Sequence, residues 1–92
     1  MMRAEYLNVL QRALTVPLPL GGREDAPVLR VTLAKDYPSN LALGASGMRG
    51  PWGSRELYFN RAQVRRMLAK AEQDLIPTGA IQNAEVLRHD RA

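Results

Sequence analysis

The stretch that most restricts the fold runs from Arg55 to Pro77, where a two-residue period gives way at Asn60 to a helical one. Over 55–59, Leu57 and Phe59 alternate with Glu56 and Tyr58, the pattern of a short strand with one buried face. Asn60 then reads as a helix N-cap, Gln63 completes an Asn-x-x-Gln variant of the capping box, and Phe59 is set to staple onto Val64. Val64, Met67, Leu68, Ala71 and Leu75 follow at i, i+3, i+4, i+7 and i+11, a continuous apolar stripe that requires a surface to cover. Pro77 biases Ile76 away from helical geometry and ends the element. The pattern predicts a helix over Asn60–Leu75 packed on one face of a sheet.

Upstream, Tyr6, Leu7, Leu10, Ala13 and Leu14 recur at helical spacing, with Glu5, Asn8, Gln11 and Arg12 largely opposite, predicting an amphipathic helix over Arg3–Leu14. Val16, Leu18 and Leu20 alternate with Thr15, Pro17 and Pro19, and prolines in an extended segment imply an edge strand or arm. After a polar turn opened by Gly21 and Gly22, Leu29, Val31 and Leu33 face one way and Val28, Arg30, Thr32 and Ala34 the other, the best strand of the chain. A turn at 36–40 leads to Leu41, Leu43 and Ala45 alternating with Ala42 and Gly44, which predicts a hairpin, and 47–54 reads as a loop. Ile81, Val86 and Leu87 keep no clean period, so 78–92 reads as a short strand or a partly ordered tail.

Ninety-two residues supply apolar surface for one core, so 1–92 is expected to be a single domain. With 46% hydrophobic and 24% charged residues the chain is expected to fold rather than remain disordered. The expected class is α+β: a small antiparallel sheet of three or four strands, an N-terminal helix and the long helix on one face. Such a sheet can gain stability from a second copy of itself, making a homodimer one expected state. The absence of cysteine excludes disulfides and a thiolate nucleophile and fits the cytoplasm. The longest charge-free apolar stretch, 13–22, holds two prolines and falls short of a membrane-spanning helix, which needs about 20 apolar residues.

No catalytic constellation emerges. His89, the single histidine, is the fourth residue from the end, in a charged segment, and the carboxylates show neither metal-loop spacing nor an acid–base pair. No enzyme, cofactor or metal is therefore expected. The most unusual segment is 44–53, where glycine recurs at 44, 47, 50 and 53. The run is too short for collagen and lacks the Gly-Lys-Ser/Thr of a Walker loop. Gly47-Met48-Arg49-Gly50 is similar to the Gly-x-x-Gly clamp of KH domains, which implies single-stranded nucleic acid as ligand. A KH clamp joins two helices, however, and this segment is expected to join two strands.

Function is read from charge and interface-type residues. The chain carries +4, and six cations (Arg49, Arg55, Arg61, Arg65, Arg66, Lys70) against Glu56 concentrate positive charge over 49–70. Arg61 in the first turn and Glu72 and Asp74 near the end oppose the helix dipole, as functional positions sometimes do. Met48, Arg49 and Trp52, with Tyr58 on the outward strand face, are types enriched at interface hot spots. The expected partner surface is thus Met48, Arg49, Trp52, Arg55, Tyr58, Arg61, Arg65, Arg66 and Lys70, contacting a protein or ribonucleoprotein. In general look the chain resembles small inhibitor or accessory proteins of phages and mobile elements, anti-CRISPR proteins among them, and no residue role carries over from that likeness. The competing expectation is a nucleic-acid-binding regulator that sets Arg61, Arg65, Arg66 and Lys70 against phosphates.

Overall fold

The computed structural model describes residues 1–17, 23–35, 43–50, 55–73 and 78–87. The elements are α1 (Arg3–Leu14), β1 (Pro27–Leu33), β2 (Met48–Arg49), β3 (Glu56–Asn60), α2 (Arg61–Glu72) and β4 (Ile81–Val86), with a single 3₁₀ turn, Thr78–Ala80, ahead of β4. The four strands form one antiparallel sheet in the order β2-β3-β1-β4. Helix α1 lies over β4 and β1 and α2 over β3 and β1, so both pack on the same face, and the fold is α+β.

The α2 start forms as its residues dictate. The Gln63 N–H donates to Asn60 Oδ1 at 2.9 Å, and the Asn60 N–H donates to Gln63 Oε1 at 2.7 Å. Two otherwise orphaned donors are satisfied reciprocally, and loss of such a cap costs about 1 kcal/mol. Because Asn60 is also the last residue of β3, strand and helix join without a loop. Phe59 and Val64 are fully buried in the same cluster, as a hydrophobic staple requires. Val64, Met67 and Ala71 meet Tyr6, Leu10 and Ala13 of α1 and Leu29, Val31, Leu33, Leu57 and Phe59 of the sheet in one continuous core. Each fully buried large aliphatic or aromatic side chain contributes about 1.5–3 kcal/mol.

Several expectations need correction. Within 41–45 the described residues Leu43, Gly44 and Ala45 form a turn rather than a strand, because Gly44 has φ +98°, outside extended geometry. The strand contributed by this region is β2, inside the expected 47–54 loop. The predicted hairpin partner of β1 is therefore replaced by β3 on one side and β4 on the other. The undecided segment after 78 supplies β4. Val28, expected to face outward with Arg30 and Thr32, is fully buried, since the register shifts between Pro27 and Leu29 and leaves it at a bulge. Val16 is buried and Pro17 exposed in irregular backbone, and among the described residues the sheet edges are β2 and β4. The turn at 36–40, Leu18, Leu20, Leu41, Leu75, Pro77 and His89 lie outside the described residues.

Candidate partner-binding surface

The register sorts the expected surface residues onto different sides of the sheet. Met48 pairs with Tyr58, Tyr58 with Arg30 and Arg30 with Glu85, which places these four in one row on the face opposite the helices. Thr32, Glu56 and Asn83 form the next row. Arg49 pairs with Leu57, and Arg55 shares the parity of Leu57, so both belong to the helix-bearing side, where both are exposed at the rim.

Charge on the open face is spent internally. Arg30 pairs with Glu85 and lies 3.9 Å from Glu56. Its guanidinium is pushed further toward the cationic form first by a hydrogen bond with the Tyr58 side chain and then by Glu85, with Glu56 adding to the effect. Sequence reasoning missed this cluster. Arg30 and Glu56 each sit on the polar side of a recognisable strand, but their meeting with Glu85 depends on β4, which has no clean period.

Arg61 is engaged within the fold. It is half-buried, and its Nη2 donates to the carbonyl of Val16, just beyond α1, at 2.6 Å. Arg3, at the equivalent first position of α1, donates from Nη2 to the carbonyls of Ala71 (3.3 Å) and Glu72 (3.2 Å) at the end of α2. The helices are therefore antiparallel neighbours, and each sends its first residue to the carbonyl end of the other. A cation at its own helix N-terminus is unfavourable, whereas beside the neighbour's C-terminal carbonyls it is favourable. The apparent dipole violation at Arg61 is a structural clamp.

The outward side of α2 carries Ala62, Arg65, Arg66, Ala69, Glu72 and Gln73, all exposed. Lys70 is half-buried, and its aliphatic stem lies against Gly44: a Cβ there would meet Lys70 Cδ at 3.2 Å and the Arg66 carbonyl at 3.5 Å. Segment 43–47 thus runs along the α2 flank, held also by Gln63 Nε2 donating to the Ser46 carbonyl at 2.5 Å. At Gly47 a Cβ would sit 2.6 Å from the Phe59 ring, so only glycine lets the chain cross the core there and deliver Met48 and Arg49 to the edge. Gly50 is buried, and its N–H donates to the Glu56 carbonyl at 3.0 Å. Gly44 thus answers to turn geometry and Gly47 to packing.

At the rim Met48 is 69% exposed. Among the described residues, no carboxylate forms an ion pair with Arg49, Arg55, Arg65, Arg66 or Lys70. Trp52 lies outside the described residues. Among those described, no group of three or more His, Cys, Asp or Glu side chains could hold a metal ion, and no helix is long and apolar enough to cross a membrane. No protein-family model matches the chain, and comparison with curated proteins and with solved structures finds no significant similarity to either.

Proposed function

We propose that the protein is a non-enzymatic binding protein that occupies a surface of a macromolecular partner, in the manner of small inhibitor or accessory proteins encoded by phages and mobile elements. The observation that carries this reading is Met48, a large apolar side chain left 69% exposed on a two-residue edge strand and bordered by exposed Arg49. Methionine and arginine are enriched at protein interfaces, and a strand edge offers unpaired backbone groups beside them. The proposed setting is the cytoplasm, which a chain without cysteine suits.

The test is affinity capture with and without nuclease, followed by titration of the purified partner with variants. Met48→Asp is expected to weaken the complex by about tenfold or more, because it places a charge in the apolar centre of the contact. Trp52→Ala tests the tryptophan of the glycine-spaced segment in the same assay. An unchanged affinity for Met48→Asp excludes binding through this edge. A nucleic-acid-binding regulator is the second reading, favoured by five cations with no described counter-charge, and it predicts a complex that nuclease destroys.

A further inference from the structure

Resting on the binding role proposed above, we infer that the partner presents an acidic protein segment, and that this segment lies along the outward side of α2 with Arg65 and Arg66 receiving its carboxylates. The first support is charge complementarity. The open sheet face neutralises Arg30 with Glu56 and Glu85, while Arg65 and Arg66 have no ion-pair partner among the described residues. The second is shape. Exposed Ala62 and Ala69 flank the two arginines at successive turns, so a chain can approach the helix axis closely while the planar guanidiniums meet carboxylates side-on. The third is rigidity, since α2 is held by its capping box, by the buried stripe and by the Arg3 clamp.

The same residues disfavour a nucleic acid. Base stacking needs exposed aromatic faces, yet among the described aromatic residues Tyr6 and Phe59 are fully buried, and Tyr58 is half-buried and held by Arg30 on the opposite side of the sheet.

The full chain is titrated, by amide chemical shifts, with a glutamate-rich peptide and with single-stranded and duplex oligodeoxynucleotides of equal charge. The expected result is peptide binding that shifts amides of 62–73 and weakens about tenfold or more in Arg65→Glu/Arg66→Glu, as for loss of well-placed charge pairs. The charge-matched control Arg23→Glu/Lys35→Glu is expected to change affinity less than about twofold, because those exposed sites lie elsewhere. Equal weakening in both double variants means that net charge alone binds the peptide and overturns the inference. Tighter binding of an oligonucleotide, lost linearly in log–log with salt, overturns it in favour of phosphate recognition. So do absent peptide binding or shifts centred on Arg30, Tyr58 and Glu85. If the peptide fails while a Met48-dependent complex persists, this inference falls and the binding role stands. If Met48→Asp leaves the complex intact, the binding role through the edge fails whatever the peptide does.

Discussion

On the open face of the sheet Arg30 is held at once by Tyr58, Glu56 and Glu85, whereas on the helix layer Arg65 and Arg66 stand in solvent with no described counter-charge. Between these extremes lie Arg3 and Arg61, also on the helix layer, each closed onto backbone carbonyls of the neighbouring helix. The comparison shows that a basic composition is not by itself a binding surface. An arginine whose charge is already answered by the fold supports stability, and one whose charge is unanswered is available to a partner.

The largest expected effect lies where the chain passes from the helix flank to the exposed edge. Gly47→Ala drives a Cβ into the Phe59 ring and should destabilise the protein by about 2–3 kcal/mol in urea unfolding, in the range of core overpacking. Gly79→Ala, with nothing within 4 Å of its Cβ, serves as the neutral control. Next comes the clamp. Arg61→Ala should cost about 1–2 kcal/mol by the same measurement, since a charged hydrogen bond to the end of α1 is lost, although removal of the buried and unbonded Nε offsets part of it. A smaller effect is expected on the open face, where Arg30→Ala should cost about 0.5–1 kcal/mol, the range for largely solvated ion pairs, and should shrink in high salt. The smallest is at Arg65→Ala/Arg66→Ala, which should leave stability within about 0.5 kcal/mol of the parent. A loss there as large as at Arg61 would erase the distinction between clamping and exposed arginines.

Part of this distinction was legible in the residues themselves. The period of 64, 67, 68 and 71 points Arg65 and Arg66 outward, and the structure leaves both exposed. At Arg61 the sequence shows only the conflict with its own helix dipole, because the carbonyl it bonds lies 45 residues away. The glycine spacing carried no such information by itself: Gly44 answers to its positive φ, and Gly47 to the Phe59 ring, a neighbour only after β3 has packed. β2 and β4 lack the length or the alternation that marks a strand, and they join the sheet by pairing with β3 and β1.

By itself, then, the sequence determined the elements whose information is local. Both amphipathic helices, the capping box at Asn60, and the alternating strands around Leu29–Leu33 and Leu57–Phe59 follow from propensity, side-chain period and caps within a few residues. The tertiary structure alone decided the strand order, the edge strands, the exchange of arginines between helix ends and the neutralisation of Arg30. Each of these joins groups distant along the chain, and such contacts are set by which buried surfaces fit together rather than by any pattern in the segments that make them.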